Sequence, residues 1–541
     1  MMKNYCHCAQ GLAKVSELLM KKCSKSYSNI VYFSRCLDVH KKSLEELSTA
    51  AATILGKDGT RWQQMQTGVS GAGRFSSQNV LRRRPGPTAF AAARVEQGNP
   101  VSAFRVIFSE SMVRHICKCT TEEGRRVKGS HSQWQVNPSE MDRFLGLWIA
   151  RGVIGGRSLP LRNFWSHEWG NPMFPKTMSR ERFMEIKRFL RFDQKCSRRE
   201  RFQTDKFCLV SDLWNAFIEN SQLAYYPQAE ITVDEQLLPC KARCKFIQYM
   251  SKKPDKFGIK FWLLVDLETK YLINGFPYLG KDEERGNLPV STAVVLRLVE
   301  KFTGNGHNVT SDNYFTNLTL AKALLRSNIS ILGTVRLNRR ELPAACSQHV
   351  ELHQTRCFQE KECGASLTVY QCKKKKTVAI LSTLHRTVFV PEANNPKQKP
   401  DTVLHYNKSK IGVDMLDKMV RQYSVKAASR RWPIHVFSNI LDISLLNAWV
   451  IYRGVTSESI SRREFIQKVV ESLIEKCSNE IKRTNNALAA GAGADDVLPK
   501  KKERLTCVTK LCKRNRTQNK CRKCNQPLCG KCAVSVCPTC T

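Results

Sequence analysis

The spacing of apolar residues changes along the chain from a helical period to a strand period. Ser139 and Glu140 precede the first apolar residues of one amphipathic run, as a capping residue and an acid do at the start of a helix. Three runs carry apolar residues at helical spacing: Ser139–Gly152, Ser179–Phe192 and Lys206–Ser221. These runs predict a helical domain.

After Tyr226 the pattern becomes rich in β-formers. Three successive strands are predicted, at Ala229–Leu238, Phe257–Val265 and Tyr271–Leu279. A helix, a strand, a helix and a strand follow at Ser291–Phe302, Asn308–Ser311, Leu318–Arg326 and Ile329–Val335. Three consecutive strands followed by this alternation is the order of an RNase H-like α/β layer.

Two further strands, Ser366–Cys372 and Thr377–Thr383, flank the tetralysine segment Lys373–Lys376. This pattern predicts a hairpin with four lysines at its tip. The lysines either contact a DNA backbone or form a charged turn that discourages edge pairing. Helical sequence resumes at Ile411 and continues to about Lys482.

The charge of the chain indicates a polyanionic partner. The 541 residues contain 88 Lys plus Arg against 47 Asp plus Glu, a formal net charge of +41. So few acids cannot neutralise the basic side chains internally, so we expect nucleic acid as the partner. Because no long uncharged apolar stretch or leader was recognised, the sequence predicts a soluble, unsecreted protein that does not enter a membrane.

Four aspartates are candidates for the chemistry. Asp234 lies within a predicted strand and shares a face with Thr232 and Gln236. Asp312 ends a short strand, at the edge where α/β sheets place ligands. Asp414 and Asp417 are three residues apart and lie on one side of a helix.

Carboxylates that meet in one site repel each other unless cations lie between them. Mg²⁺, or Mn²⁺, suits such a site, and two ions can activate an attacking oxygen and stabilise a leaving oxygen in phosphodiester displacement. Taken singly, each Asp could equally be a strand-end cap or a surface charge. Asp417 could pair with Arg421, and Asp266 ends a strand in the same way as Asp312.

The C-terminus carries four cysteine pairs within 34 residues: Cys507 and Cys512, Cys521 and Cys524, Cys529 and Cys532, and Cys537 and Cys540. Eight thiolates suit two tetrahedral Zn²⁺ ions, and a segment with so few large apolar residues needs metal to fold. Just before them, Pro499–Arg504 is typical of a nuclear import signal, with a solvated linker as the alternative.

Several strings of this sequence resemble the piggyBac transposase family. They are Ile231–Leu237, Lys256–Phe261, Tyr271–Gly280, Val309–Thr316, Gly333–Arg340, Gly412–Asp417, Arg430–Pro433 and the terminal cysteines. The resemblance begins near Gly59 and continues to the C-terminus. It implies that Asp234, Asp312 and Asp414 are a metal-binding catalytic triad and that Asp417 is an additional acid.

The resemblance also implies an activity. In that family, cut-and-paste transposition nicks double-stranded DNA at the terminal inverted repeats, forms a DNA hairpin and joins the ends to a TTAA target. The family fold is an RNase H-like core split by an insertion domain and flanked by a helical dimerisation and DNA-binding domain. A homodimer, a nuclear location and cross-braced zinc ligation by the cysteines follow from it, although the spacing leaves sequential pairing open.

The expected domain boundaries combine both lines of reasoning. They are a mobile basic N-terminal region (1–95), a helical domain in two parts (96–228 and 424–486), a catalytic core in two parts (229–335 and 401–423), an insertion domain (336–400), a basic linker (487–504) and a cysteine-rich zinc domain (505–541).

Two other functions compete with an active transposase. A domesticated, catalytically silent DNA- or chromatin-binding protein would keep the fold and the charge without strand cleavage. The eight cysteines alone would also fit a zinc-dependent ubiquitin ligase, but the four-residue gaps between the later pairs are short for that class and no His takes part.

Overall fold

The computed structural model describes residues 53–68, 80–129, 131–280, 288–348 and 350–475, together with three isolated pairs at 505–506, 516–517 and 526–527. The described residues up to Glu475 belong to one compact unit, and those beyond residue 478 belong to a second. In the second unit, Leu505–Thr506 pairs antiparallel with Arg516–Thr517. The expected zinc ligands and the basic linker lie outside the described residues.

One mixed sheet of eleven strands organises the first unit. Its strands are β1 (Thr53–Leu55), β2 (Arg61–Met65), β5 (Glu230–Pro239), β6 (Ile247–Tyr249), β7 (Phe257–Asp266), β8 (Leu272–Pro277), β9 (Asn308–Ser311), β10 (Ser330–Val335), β11 (Thr355–Glu360), β12 (Ser366–Lys373) and β13 (Lys376–Ser382). The short strands β3 (Gly86–Pro87) and β4 (Tyr225–Tyr226) pair separately.

The centre of the sheet has the order predicted for the catalytic core. β8, β7 and β5 form an antiparallel meander, and β9 and β10 continue parallel to β5. Each parallel connection passes through a helix, as parallel strands require. This large mixed sheet fits an RNase H-like core.

The sheet continues beyond that core on the β10 side. β13, β12 and β11 follow β10 in antiparallel order, so the strands of the expected insertion extend the same sheet. β2 then pairs with β11, and β1 pairs with β2. This differs from the prediction of a mobile arm over residues 1–95, because Thr53–Leu55 and Arg61–Met65 are strands of the sheet.

The described residues of the first unit also form α-helices. They are α1 (Ala89–Ala92), α2 (Pro100–Ile107), α3 (Glu110–Lys128), α4 (Pro138–Val153), α5 (Leu161–Phe164), α6 (Met173–Thr177), α7 (Arg180–Phe189), α8 (Arg198–Thr204), α9 (Ser211–Ala224), α10 (Val290–Val299), α11 (Leu318–Arg326), α12 (Asp401–Ser409), α13 (Gly412–Gln422) and α14 (Trp432–Thr456). Residues 462–475 are also helical. α4 begins one residue earlier than predicted, because Asn137 is its cap and accepts a hydrogen bond of 2.7 Å from Glu140 N.

α14 is the central helix of the unit. By length and hydropathy alone it could cross a membrane, contrary to the expectation that the chain has no such segment, yet 94% of its most apolar stretch is buried inside the protein. Aromatic rings pack around it, with the ring centroids of Phe437 and Phe192 4.6 Å apart and those of Phe437 and Trp148 5.7 Å apart. α14 therefore serves as a core helix joining the helical domain to the sheet.

Candidate active site

Asp234 and Asp312 lie side by side at the centre of the sheet. β5 and β9 are parallel neighbours, and Val233 is in register with Ser311, so the next residues, Asp234 and Asp312, occupy the same level. Neighbouring strands are about 4.8 Å apart. The sequence predicts that these two carboxylates meet, and the strand register places them side by side.

The surroundings of Asp234 disfavour its charged form. Burial raises the pKa of the Asp234 carboxyl to about 8, and the negative charges of Glu235 and Asp312 add to the shift. The backbone N–H of Glu235, which donates to Asp234 Oδ1 at 2.7 Å, and the ammonium group of Lys253 oppose it. A cation at this position would relieve the repulsion.

α13 lies along the face of β5 that carries Asp234. At the start of the helix, Gly412 meets Thr232 so closely that a Cβ at position 412 would stand 2.5 Å from Thr232 Oγ1. Farther along, Gln236 Nε2 donates to Asp417 Oδ1 at 2.5 Å. Because Thr232, Asp234 and Gln236 share one face, the helix passes over Asp234.

The two acids of α13 have different environments. Burial raises the pKa of Asp417 to about 6, with the hydrogen bond from Gln236 opposing the shift. The Asp414 side chain is 69% exposed and lies 4.0 Å from the ammonium group of Lys253. Asp417 is therefore a fixed, half-buried acid, whereas Asp414 faces solvent at the edge of the site.

Two groups that sequence reasoning missed hold Asp417 in place. Gln236 donates to Asp417 through Nε2 and accepts a 2.8 Å hydrogen bond from Asn439 Nδ2 through Oε1. These two bonds fix the orientation of the Gln236 amide. The position of Gln236 on the Asp234 face was visible in the sequence, whereas the contact with Asn439 depends on the packing of α14.

Two lysines were also missed. Lys253 Nζ donates to Glu235 O at 3.1 Å and lies 4.0 Å from the Asp414 carboxylate. Lys260 lies on the other face of the sheet beside Glu235, where burial lowers the pKa of its ammonium group. A single Lys within the apolar run of β7 was the available sequence signal for Lys260.

The other expectations for acidic side chains have separate outcomes. Asp266 is structural, because its carboxylate accepts hydrogen bonds from Gln228 N, Thr269 N and Thr269 Oγ1. Arg421 forms an ion pair of 3.1 Å with Asp255.

The hairpin of β12 and β13 forms as predicted, with Lys373–Lys376 exposed at its tip.

The donor set suits a hard divalent cation, since it consists of carboxylate oxygens. Within the described ranges, however, no group of three or more His, Cys, Asp or Glu side chains is close enough to hold a metal ion. Asp234 and Asp312 are adjacent, while Asp414 stands apart beside Lys253. The sequence-predicted metal set therefore stays a prediction.

Comparison with known proteins identifies the family. The Transposase IS4 family model matches residues 99–449, which is most of the chain that the sheet and α14 occupy. The chain belongs to the piggyBac type of this transposase family. A solved piggyBac transposase in a synaptic complex with hairpin DNA is 28% identical, with a TM-score of 0.69 over 85% of this chain and 100% of that chain.

Curated human relatives of this piggyBac-type chain match over a shorter range. The human PiggyBac transposable element-derived protein 3 is 24% identical over 425 residues, which is 73% of this chain and 69% of that protein. The human Chimeric ERCC6-PGBD3 protein has the same identity over 425 residues but is matched over only 39% of its length. Family and fold together support a transposase-like enzyme that binds DNA.

Proposed function

We propose that this protein is a metal-dependent DNA transposase that cuts transposon ends through a hairpin intermediate and joins them to TTAA. The observation that carries the proposal is the side-by-side arrangement of Asp234 and Asp312 on parallel strands, with α13 lying over the same face. This arrangement gathers carboxylates from remote parts of the chain at the centre of the sheet.

Asp234, Asp312 and Asp414 would hold Mg²⁺ or Mn²⁺. When bound, such ions activate a nucleophilic oxygen and stabilise the leaving oxygen of a phosphodiester. The raised pKa of Asp234 supports this role, because buried neighbouring carboxylates are the environment that a cation neutralises. Asp414 would have to turn from Lys253 toward Asp234 when the site is assembled.

The chain's own side chains would position the DNA and the acids. Gln236 and Asn439 hold Asp417 in one orientation. Lys253, at 4.0 Å from Asp414, is placed to contact the phosphate beside the scissile bond. Exclusion of water by the buried strand β5 strengthens these electrostatic interactions.

Double-stranded DNA with terminal inverted repeats is the proposed partner. The net charge of +41 supports DNA binding, as does the hairpin DNA in the solved relative. We extend the proposal to a homodimer, to a nuclear location directed by residues 499–504, and to two Zn²⁺ ions held by the terminal cysteines at 507, 512, 521, 524, 529, 532, 537 and 540.

Replacement of one carboxylate tests the proposal. The purified protein with Mg²⁺ or Mn²⁺ is expected to nick duplexes that carry the ends of a matching TTAA-flanked element. Asp234→Asn keeps the shape of the side chain but removes its charge, so cleavage should fall by at least about 100-fold. Glu268→Gln is the matched control, since Glu268 is an exposed acid near the β7–β8 turn, and it should cleave normally. Full cleavage by Asp234→Asn contradicts the assignment.

A second candidate is a DNA-binding descendant without turnover. It is favoured by the exposed Asp414, which lies beside Lys253 rather than with the other acids. Sequence-specific binding of terminal repeats without cleavage in either metal is the result expected for this candidate.

A further inference from the structure

A cavity of about 250 Å³ lies between the start of α14 and the chain segment that joins α7 to α8. Its charged lining residues are Arg191, Arg198, Arg430, Arg431 and Asp193. Four arginines therefore face one aspartate. The four candidate acids of the active site do not line this cavity, so the chemistry proposed for them does not account for it.

Two acids serve the arginines on one side of the cavity. Asp193 accepts two hydrogen bonds from Arg198, at 2.7 and 3.0 Å. Glu123 accepts a hydrogen bond of 2.6 Å from Arg191 Nη2 and pairs with Arg126 at 2.7 Å. Three arginines therefore share two carboxylates. These carboxylates have no charge to spare for the other arginines of the cavity.

Arg431 is partly buried and has hydrogen bonds to carbonyl groups rather than to a carboxylate. Its Nη1 donates to Leu190 O and its Nη2 to Lys187 O, both at 2.8 Å. A carbonyl oxygen accepts a hydrogen bond but does not neutralise a charge. Burial lowers the pKa of Arg431 to about 10, and the charge of Arg191 adds to the shift. Arg431 is still protonated at neutral pH, so an anion in the cavity would offset the cost of burying its charge.

Further positive charge surrounds Arg431. Arg430 is exposed and forms no hydrogen bond or ion pair with the part of the chain that the structure describes. Burial lowers the pKa of the Lys187 ammonium group, and the charges of Arg151 and Arg431 add to the shift. The first turn of α14, which lines the cavity, carries no acid, so the positive end of its helix dipole adds to the same field.

The charge and the size of this cavity suit a phosphate group. The planar guanidinium of Arg forms paired hydrogen bonds with phosphate oxygens, which makes Arg a common residue in phosphate recognition. The volume of about 250 Å³ is below the range of about 300–1,000 Å³ that is usual for pockets enclosing drug-sized ligands. A small anion therefore fits better than a whole nucleotide.

We propose that this cavity is a phosphate-binding site, in which Arg430 donates hydrogen bonds to the phosphate oxygens and the charge of Arg431 attracts them. The phosphate belongs either to a DNA backbone or to a free polyphosphate, and both present the same chemistry to the arginines. The DNA source rests on the proposed function, because that function supplies the duplex. The phosphate site itself does not depend on DNA cleavage.

Pyrophosphate is the first probe of this site. Thermal denaturation of the full-length protein is followed as pyrophosphate is added at constant ionic strength, without Mg²⁺ or Mn²⁺. The melting temperature should rise, and the concentration dependence gives a dissociation constant. Arg430→Ala should increase this dissociation constant by about tenfold or more, because one hydrogen bond between charged groups is lost. A melting temperature that rises no more than in sodium chloride of the same ionic strength overturns the inference.

Two variants separate the cavity from the general positive charge of the surface. Arg199→Ala removes an exposed Arg that follows Arg198 but does not line the cavity, so it should leave pyrophosphate binding unchanged. Arg430→Glu puts a carboxylate in place of the anion. It should abolish the response to pyrophosphate and raise the melting temperature in its absence, whereas a poorly folded variant would melt earlier.

Three results with these variants overturn the inference. The first is an Arg199→Ala variant that binds pyrophosphate as weakly as Arg430→Ala does. The second is an Arg430→Glu variant that still responds to pyrophosphate. The third is an Arg430→Glu variant that melts below the unmodified protein when no pyrophosphate is present.

Binding of duplex DNA distinguishes the two sources of the phosphate. If a backbone phosphate occupies the cavity, Arg430→Ala should reduce the slope of log affinity against log salt by about 1. An unchanged slope together with weaker pyrophosphate binding assigns the site to a free polyphosphate. A protein that binds pyrophosphate as expected but does not cleave DNA contradicts the proposed function alone. Normal pyrophosphate binding by Arg430→Ala contradicts only this inference.

Discussion

At the scale of single residues, the site depends on a contact between Gly412 and Thr232 that leaves no room for a larger side chain at position 412. Gly412 allows α13 to approach Thr232, and the Thr232 hydroxyl donates to Ser409 O at 2.9 Å just before the helix. These contacts set the height of α13 above β5. The positions of Asp414 and Asp417 follow from that height.

Gly412→Ala is expected to impair the site more than the fold. The new Cβ would stand 2.5 Å from Thr232 Oγ1 and 2.7 Å from Thr232 Cβ, so α13 must move away from β5. We expect a loss of about 1–3 kcal/mol in the free energy of unfolding. Strand cleavage should fall on the order of 100-fold, because the acids of α13 are displaced. Urea denaturation and a nicking assay measure the two effects.

Gly68→Ala is the control for that substitution. No heavy atom lies within 4 Å of a Cβ built at position 68. The stability of the Gly68→Ala variant and its rate of DNA cleavage should match those of the unmodified protein. If Gly412→Ala behaves like Gly68→Ala, the close packing of α13 on β5 does not determine activity.

Asp442 should make stability depend on pH. Burial raises the pKa of Asp442 to about 7, against the opposing hydrogen bonds from Ser424 and Val425 and the nearby charges of Lys426 and Arg157. Between about pH 4 and pH 7 the folded protein keeps this proton while the unfolded chain loses it, so the free energy of unfolding falls as pH rises. The contribution of this group is at most about 1.4 kcal/mol per pH unit.

Asp442→Asn should flatten this part of the stability profile. Urea midpoints at pH 5 and pH 7.5 measure the slope with and without the substitution. An unchanged slope in Asp442→Asn would show that the carboxyl is already ionised at pH 5. Asp234 and Asp417, whose pKa values are also raised, keep the remaining slope of the same sign.

At the scale of elements, the sequence predicted what strong periodicity marks. β9 and α11 have the predicted bounds, and β7 differs by one residue. β6 and β11 were missed, since Ile247–Tyr249 has only three residues and Thr355–Glu360 mixes polar with apolar side chains. The contact of Asn439 with Gln236 spans 203 residues, so no local pattern could reveal it.

The hairpin of β1 and β2 is an element that composition concealed. Trp62 of β2 is fully buried, and its Nε1 donates to Glu341 O at 2.7 Å. β2 pairs with β11 from Met65 to Trp62. Basic, Gly-rich sequence after the hairpin favours a mobile segment, yet the buried indole and the pairing of β2 with β11 anchor the hairpin.

Trp62→Ala should therefore destabilise the protein by about 3–5 kcal/mol, the usual cost of removing a buried Trp. Trp62→Phe keeps a ring in the same space but loses the hydrogen bond to Glu341 O, so a smaller loss is expected. Thermal denaturation of the two variants provides the measurement. Equal, negligible losses in both would mean that the hairpin does not contribute to the folded core.

At the scale of the whole molecule, positive charge is the main feature that favours DNA binding. The net charge of +41 remains after every Asp and Glu has been counted against a Lys or Arg, and the tetralysine tip of the β12–β13 hairpin exposes four of these cations. Family and fold identify a DNA-processing ancestry, but which phosphates are contacted is a property of the assembled complex. The sequence could predict that the partner is nucleic acid, but it could not predict which part of the protein surface the DNA follows.

DNA affinity should fall steeply with salt. If the protein contacts 6 to 10 phosphates, its affinity for duplex DNA should drop by roughly 1,000-fold or more between 50 and 200 mM salt. Fluorescence anisotropy with a labelled duplex measures this slope. An affinity that barely changes over this range is incompatible with a charge-driven interface.

The anchoring of Trp62 also has a consequence for biosynthesis. Its partner carbonyl on Glu341 is 279 residues farther along the chain. At about 5–20 residues per second, a ribosome needs roughly 15 to 60 seconds to supply that partner. During this interval the first hairpin has no sheet to join, so a chaperone that shields its indole and open edge would raise the yield of native protein.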